Sequence, residues 1–251
     1  MTFCSTAYKK LCTEFYEYEK PHASPDSLLY YFDKAQEAQG PILMPMCGTG
    51  RFYIPLLEKG YDVTGFDSSP HMLAVCEEKC RKKRLKPNVF EADFESFNSL
   101  DKYKLIFIPS SSFCLLIDPH TVHRALEKIH ALLDDHGKFI FEVETIHASE
   151  GQEGVWQARW IDKPDGSILV GNFATRFNPL THIETVLSRY ELWKNNEIVQ
   201  TEVEDFRIRL YETDGIDALL EKQGFQIKRK SVPYTSPKGE NKALLYECVK
   251  K

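Results

Sequence analysis

The chain has 251 residues, of which 42% are hydrophobic and 27% are charged, and its formal net charge is -5. This length and composition predict one large globular α/β domain, or one domain with a sizeable insertion. The negative charge argues against a general affinity for nucleic acid or anionic membrane. No apolar run approaches the roughly 20 residues that span a bilayer.

The cysteines and the amino terminus indicate a reducing compartment. Seven cysteines are scattered without the spacing of a disulfide scaffold, which favours free thiols. Residues 1–5 lack the basic-then-apolar order of a signal peptide, so we expect a cytoplasmic protein. Cys76 and Cys80 share a helix face, as do His120 and His123, but neither pair is completed into a metal-binding motif, and no metal site is expected.

The first hundred residues predict helices and strands in alternation. A mixed aromatic pattern predicts a helix at 8–18, and Ser24 followed by Pro25 predicts a capped helix that ends at Gly40. The strand at 42–46 runs into a Gly-x-Gly turn. Because Pro55 would break a helix interior, the next helix is predicted to begin late, near Arg51, and to end at Gly60.

The sequence up to residue 145 continues this alternation of strands and helices. Strands are predicted at 61–67, 88–90, 105–108 and 138–145. Further helices are predicted at 69–84 and from Asp118 to the turn at 135–137. Five strands that alternate with helices imply a parallel, doubly wound sheet with right-handed crossovers.

The amino-terminal helices and this α/β core occupy residues 1–154. The sequence pattern changes after them. Residues 155–210 lack a helical period and predict three or four antiparallel strands, a lid or dimer element, with a bulge between Val203 and Phe206. Residues 211–251 complete the core sheet as its last helix, capped by Thr213 or Asp214, and two strands at 225–232 and 243–249. These two strands are predicted to form an antiparallel pair at one edge, which makes seven strands in all.

Candidate ligand-binding residues lie where the predicted strands end. The first strand ends in Gly48-Thr49-Gly50, the second in Asp67, the third in Asp93 and the fourth in Pro109. Ligands of doubly wound sheets bind outside these carboxyl ends. Asp67, about 20 residues after the glycine turn, is placed to accept both hydroxyls of a ribose. Asp93 is then placed to accept from an exocyclic amine such as that of adenine.

The residues around the glycine turn also restrict which type of nucleoside-containing ligand the site can bind. A dinucleotide fingerprint requires a third glycine where this chain has the much larger Tyr53, and a P-loop requires a Gly-Lys-Ser/Thr ending that is absent. What remains is a nucleoside whose other arm is not a pyrophosphate. The methionyl arm of S-adenosylmethionine fits this description.

Residues 42–145 resemble the class I S-adenosylmethionine-dependent methyltransferases. The first motif of that family matches Cys47-Gly48-Thr49-Gly50-Arg51, and its second region matches residues 63–73. The resemblance implies that the glycine turn approaches the methionyl arm, that Asp67 holds the ribose and that residues 92–94 flank the adenine. The cofactor-contacting residues implied in this way are Met46, Cys47, Gly48, Thr49, Gly50, Arg51, Asp67, Ser68, Met72, Ala92, Asp93, Phe94 and Pro109.

The chain departs from this family at two positions. The family usually has an acidic residue where this chain has Met44, and often a glycine where it has Met46. The acid normally helps to position the amino group of the cofactor. Its loss is expected to weaken cofactor binding by roughly 1.5–3 kcal/mol, the worth of a hydrogen bond to a charged group, unless another carboxylate substitutes.

Methyl transfer from a sulfonium is a direct displacement, which requires alignment and exclusion of water. A base is needed only if the nucleophile arrives protonated, and no catalytic residue is assigned. The insertion resembles the lids of small-molecule N- and O-methyltransferases. The aromatic residues that are candidate walls of a substrate pocket, each equally compatible with ordinary packing, are Tyr16, Tyr18, Phe113, Trp193 and Tyr211.

Three functions are compatible with these features. The leading hypothesis is a small-molecule methyltransferase, and the insertion allows a homodimer across a two-fold axis. An RNA or protein methyltransferase is one alternative, since residues 79–86 form a basic run, although cations at a helix carboxyl end usually form a solvated face. The Asn-Pro-Pro-Tyr motif of DNA-base and glutamine methylation is absent after the fourth strand. The third hypothesis is a non-catalytic protein that binds S-adenosylmethionine.

Overall fold

The computed structural model describes residues 7–149, 153–233 and 242–251. Helices α1–α6 span Lys10–Glu19, Pro25–Ala38, Tyr53–Glu58, Pro70–Lys82, Pro119–Leu132 and Thr213–Lys222. Strands β1–β11 span Ile42–Pro45, Val63–Asp67, Asn88–Glu91, Tyr103–Ile108, Leu133–Glu144, Gln157–Asp162, Ile168–Asn178, Ile183–Lys194, Glu197–Arg209, Phe225–Ser231 and Ala243–Lys250.

Seven strands form the central sheet in the order β10-β11-β5-β4-β1-β2-β3. Neighbouring strands pair in parallel except around β11, which is antiparallel to both β5 and β10. The predicted mostly parallel sheet and its antiparallel edge pair are therefore confirmed. The order reverses between β1 and β4, and the carboxyl ends of these strands flank the switch point where ligands bind in such sheets.

Both faces of the central sheet are covered, so its inner strands are apolar on each side. Leu43 and Ile106 face the cluster that includes α5 and α6. Ile42 and Phe107 face a second cluster that includes α2, α3 and α4. This double burial explains the continuous apolar runs of the sequence and leaves polar side chains chiefly at the strand ends.

Side-chain caps fix the starts of three helices where the sequence predicts them. Ser24, Ser69 and Asp118 each accept a hydrogen bond from the backbone N–H three residues later, at 3.3, 3.2 and 3.0 Å. The prediction for α6 is wrong, because Thr213 is its first helical residue. The preceding Glu212 is the cap position and makes no side-chain cap hydrogen bond.

Strand β5 begins earlier than predicted. The sequence places a turn at 135–137 and a strand from Lys138, but α5 ends at Leu132 and β5 begins at Leu133, which pairs with Tyr103. Gly137 permits this close pairing. A Cβ at that position would lie 2.8 Å from the Tyr103 carbonyl oxygen, and the β4–β5 register shifts next to Tyr103.

The predicted antiparallel insertion is a separate sheet in the order β6-β7-β8-β9. One face of this sheet packs on α1. Leu11 and Phe15 from the helix form a small core with Leu169 and Tyr190 from the sheet. We call β6–β9 the insertion sheet. Its attachment to α1 places it beside the amino-terminal part of the chain.

The predicted bulge between Val203 and Phe206 is wrong. Pairing with β8 is regular there, and the irregularity lies opposite Leu192 and Trp193, nearer the start of β9. The apolar pattern changes phase because Glu202 and Glu204 point toward α1. Their carboxylates accept from the backbone N–H groups of Leu11 (2.6 Å), and of Tyr8 and Lys9 (3.0 and 2.6 Å). A long-range helix cap, and not a bulge, produces the pattern.

The six cysteines within the described ranges are free and buried, as the scattered spacing predicts: Cys12, Cys47, Cys76, Cys80, Cys114 and Cys248. Residues 1–5, which were assessed for a signal peptide, lie outside the described residues. No helix in the described ranges is long and apolar enough to cross a membrane. In those same ranges, no group of three or more His, Cys, Asp or Glu side chains is placed to hold a metal ion.

Candidate cofactor and acceptor site

The glycine turn leaves β1 through three residues with left-handed backbone. Met46, Gly48 and Gly50 have φ values of 56°, 56° and 81°. Between them, the Cys47 N–H donates to the Phe66 carbonyl oxygen at 3.0 Å, which ties the turn to β2. The chain therefore bends sharply at the carboxyl edge of the sheet, and the family's frequent glycine at Met46 has a physical reason in this left-handed conformation.

Asp67 lies directly beside this turn, at the end of β2. One carboxylate oxygen accepts from the Gly48 N–H at 2.8 Å and the other from the Ser69 N–H at 2.9 Å. Burial raises the pKa of Asp67, and the backbone hydrogen bonds oppose this rise. A carboxylate oriented in this way keeps lone pairs for further donors, so it can accept from a ribose diol.

The turn also contains a polar group without a protein partner. The Thr49 hydroxyl is buried, with 1% of the residue exposed, and it has no hydrogen-bond partner among the described residues. Buried hydroxyls are normally satisfied. Together with Asp67 and the left-handed glycine turn, this hydroxyl fits a polar ligand such as S-adenosylmethionine.

The third strand brings residues 92–94 next to Asp67. The Ala92 N–H donates to the Asp67 carbonyl oxygen at 3.0 Å, and the buried Phe94 ring packs edge-on against Phe66 at 5.2 Å. Asp93 is exposed, and one of its oxygens caps a local turn by accepting from the N–H groups of residues 95 and 96 at 2.9 and 2.8 Å. Its contact with adenine remains a prediction.

The remaining predicted cofactor residues differ in exposure. Met72 is buried with 3% exposed, and Ser68 is exposed. Pro109 is buried at the end of β4 and precedes two left-handed residues, Ser110 and Ser111, with φ of 57° and 56°. Two such non-glycine residues in sequence store strain of order 1–3 kcal/mol each, which is typical of functional loops.

Helix α1 and the residue before it cover the Asp67 side of the site. The Ser69 hydroxyl donates to the Tyr8 carbonyl oxygen at 2.8 Å, and the Arg51 guanidinium lies 5.7 Å from the Tyr16 ring centroid. Burial raises the pKa of both tyrosines, and the Asp67 charge adds to this rise. Tyr16 therefore lies near Arg51 of the glycine turn, and its role in a substrate pocket remains a prediction. Tyr8, which also feels the Asp67 charge, was missed because the pattern at 8–18 indicates only a mixed helix.

The other candidate substrate aromatics are not gathered there. Phe113 is fully buried and packs against Phe141 at 4.9 Å, and Tyr211 packs near it with 8% exposed and an unpartnered hydroxyl. Trp193 lies on the insertion sheet, paired with Ile168 and 36% exposed. Tyr18 is exposed. Phe113 and Tyr211 thus belong to the core in this structure, and substrate roles for these residues remain predictions.

Carboxylates on β5 and β8 are the residues that sequence reasoning missed. Glu142 is buried, and Glu144 and Glu184 are half-buried; burial raises the pKa of all three. Glu144 and Glu184 repel each other electrostatically, and the Lys20 cation partly offsets this for Glu144. The available signal was an acidic residue within the apolar run of β5, since buried charges demand a partner.

The basic run at 79–86 forms ion pairs along the surface of α4. Lys79 pairs with Glu17 at 2.8 Å and Lys83 with Glu58 at 2.5 Å, while Arg81 and Lys82 both contact Glu78. Four cations of the run therefore each contact a carboxylate of the chain. The run therefore behaves as a solvated helix end, which is what its position predicts.

Comparisons with known proteins agree with this geometry. A family model described as a methyltransferase domain matches residues 42–137. The putative methyltransferase YqeM of Bacillus subtilis (strain 168) is 24% identical over 234 residues, which are 91% of this chain and 92% of that protein.

Solved structures resemble the fold along its whole length. An S-adenosylmethionine-dependent methyltransferase from Clostridium acetobutylicum ATCC 824 superposes with a TM-score of 0.79 at 19% identity, covering 96% of this chain and 97% of that one. The sugar N-methyltransferase KedS8 from Streptoalloteichus sp ATCC 53650 gives 0.75 at 16% identity, covering 95% and 92%. Residues 42–137, which contain the glycine turn and Asp67, match the model of a methyltransferase domain, and the fold of the chain is that of solved S-adenosylmethionine-dependent methyltransferases.

Proposed function

We propose that this enzyme transfers the methyl group of S-adenosylmethionine to a small-molecule acceptor. The observation that carries the proposal is the joint placement of Asp67 and the glycine turn beside α1, which contributes Tyr16 and also packs on the insertion sheet. KedS8, whose fold is similar, is a sugar N-methyltransferase, and its likeness supports a small acceptor. The ion pairs of the basic run argue against an RNA substrate.

Bound S-adenosylmethionine would supply an electrophilic methyl group, and the chain's residues would supply alignment. Asp67 would accept the ribose hydroxyls, residues 92–94 would flank the adenine, and the glycine turn would lie along the methionyl arm. Tyr16 and Tyr8, held by α1 and the residues before it, would exclude water from the transfer. The half-buried Glu144 and Glu184 would face an acceptor that enters between the core and the insertion sheet.

We further infer a cytoplasmic location and propose that the insertion sheet serves as a lid, with a homodimer through it as a second use. Free buried thiols support the location. The contact of the sheet with α1 supports the lid. Sedimentation of the purified chain measures the oligomeric state, and a monomer at high protein concentration would contradict the dimer.

Calorimetry with S-adenosylmethionine and S-adenosylhomocysteine tests the cofactor assignment. We expect the wild type to bind both and Asp67→Ala to lose at least tenfold in affinity, because a charged hydrogen-bond acceptor is removed. Asp62→Ala is the matched control, since this exposed aspartate immediately precedes the same strand at its opposite end. A wild type that does not bind at millimolar ligand would overturn the assignment.

The acceptor is found by following release of S-adenosylhomocysteine with panels of amines, phenols and carboxylates. Turnover with a compound of one panel assigns the attacking atom. A protein that binds the cofactor but turns over none of them, and instead methylates RNA or protein, would contradict the small-molecule proposal.

A further inference from the structure

Glu142 on β5 is a buried carboxylate without a cationic side-chain partner. Only 4% of the residue is exposed. The Tyr31 hydroxyl of α2 donates to it at 2.8 Å. Arg51 attracts it electrostatically, but no Lys, Arg or His in the described ranges lies within ion-pair distance. Such a charge is expensive to bury unless something compensates it.

A neighbouring carboxylate, that of Glu247, shows how the burial of a carboxylate is compensated in this fold. Glu247 on β11 is almost as buried, with 8% exposed, and accepts from the hydroxyl of the adjacent Tyr30 at 3.0 Å. Glu247 also forms ion pairs with Lys34 at 3.2 Å and Arg229 at 3.4 Å. Two consecutive tyrosines thus hold two carboxylates, and among the described residues only Glu247 has cationic partners.

The strand registers show where Glu142 lies relative to Met44, the position at which the family usually has an acidic residue. Counting along the β1–β4 and β4–β5 pairs places Met44 in one row with Phe107 and Ile140. All three belong to the cluster beneath α2. Glu142 is two residues beyond Ile140, on the same face and one row nearer the carboxyl edge.

The same edge holds the start of the glycine turn. Met46 follows the end of β1 and opens the turn, and Arg51, at the other end of the turn, attracts Glu142 electrostatically. Tyr31 spans the rows, since its ring stacks on Phe107 at 4.7 Å while its hydroxyl reaches Glu142. A carboxyl group therefore lies on the face where Met44 lacks one, nearer to the carboxyl edge at which the turn begins and along which the methionyl arm is expected to lie.

We propose that Glu142 binds the α-ammonium group of the methionyl arm, in place of the acid that the family usually carries at Met44. The inference rests on the proposed cofactor function and names the residue that performs one part of it. The ligand ammonium supplies the cationic partner that Glu142 lacks in the part of the chain that the structure describes. Tyr31 is then a positioning residue, because its hydroxyl fixes the direction of the carboxylate.

The test compares two ligands that differ in the methionyl arm. S-adenosylhomocysteine carries the α-ammonium, whereas 5′-methylthioadenosine keeps the adenosine and the thioether and lacks the amino-acid part. Glu142→Gln preserves the volume and the acceptor for Tyr31 but removes the charge. We expect its affinity for S-adenosylhomocysteine to fall roughly tenfold to a hundredfold, with the affinity for methylthioadenosine unchanged within twofold.

Glu247→Gln is the matched control, and its affinities for both ligands should equal those of the wild type. Unaltered binding of S-adenosylhomocysteine to Glu142→Gln would overturn the inference. Equal weakening of both ligands would also overturn it, since that result indicates a purely structural role. If the wild type binds neither ligand, the cofactor assignment itself fails, which is a distinguishable result.

Discussion

Gly50 is the residue at which the glycine turn passes closest to helix α4. Its φ is +81°, and a Cβ there would lie 2.6 Å from the Cys76 sulfur and 2.9 Å from the Ile54 Cδ1. The second glycine of the turn is therefore required by packing as well as by backbone conformation. Recognition of the turn from the sequence depended on this residue, and the structure supplies the contacts that require it.

Gly50→Ala is predicted to lower the free energy of unfolding by about 2–4 kcal/mol, the sum of overpacking and left-handed strain. Gly60→Ala is the control. Gly60 has a nearly equal φ of +82° but nothing within 4 Å of the added Cβ, so only about 1–2 kcal/mol of strain is expected. Equilibrium unfolding in urea measures the free energy of unfolding of both variants. Equal losses in the two variants would show that the contacts with Cys76 and Ile54 are relieved at no cost.

Helix α1 is the element whose stability depends most on distant residues. It has no side-chain cap of its own, and the N–H groups at its start are satisfied by Glu202 and Glu204 of β9. Charge-assisted hydrogen bonds of this kind also favour the positive end of the helix dipole. The element that covers Asp67 is thus held in place by the insertion sheet.

Glu204→Gln is predicted to destabilise α1 by about 1–3 kcal/mol, because an amide cannot accept from both buried donors. Hydrogen exchange of residues 8–19 should accelerate while strands β1, β4 and β5 remain protected. Asp205→Asn, on the opposite face of the same strand, is the control and should leave α1 unchanged. Similar exchange rates in wild type and Glu204→Gln would contradict the capping role.

At the scale of the whole molecule, α1 connects the insertion sheet to the carboxyl edge of the central sheet, where the glycine turn and Asp67 lie. Phe15 packs on Phe173 and Tyr190 at 5.6 and 5.5 Å, while Glu17 pairs with Lys79 of α4. A ligand enclosed beneath α1 is therefore expected to leave only when this element opens. Binding and the closure of α1 should be thermodynamically linked.

Saturation with S-adenosylhomocysteine is predicted to slow hydrogen exchange in α1 and the insertion sheet as well as at the glycine turn. At one hundred times Kd, ligand binding stabilises the closed state by about 2.7 kcal/mol. Asp67→Ala under the same conditions should show no protection. Protection confined to residues 47–50 and 67–69 would contradict the linkage, because α1 would then open independently of the ligand.

Much of the fold was predictable because its signals are local. Ser24, Ser69 and Asp118 mark helix starts through their own caps, and continuous apolar runs mark strands buried on both faces. The glycine turn and Asp67 are separated by a fixed strand–helix–strand unit, so their spacing alone predicted that they meet. These features set the class of ligand before any tertiary contact was known.

Other features arise only from pairing between distant segments. The phase change in β9 looks like a bulge until Glu202 and Glu204 are seen to cap α1, nearly two hundred residues earlier in the chain. The burial of Phe113 against Phe141 of β5 is likewise visible only in the folded chain. The role proposed for Glu142 can be inferred only from the registers of three strands and from its contact with Tyr31 on α2.

The sequence by itself determined the sheet, the glycine turn, the carboxylate that lies beside this turn and the presence of an insertion, because each depends on neighbours within one structural unit. Only the tertiary structure decided which side chains cover the site and which buried carboxylate lacks a cationic partner among the described residues. The physical reason is that burial and electrostatic pairing are properties of the surroundings of a residue, and these surroundings are assembled from segments far apart in the chain.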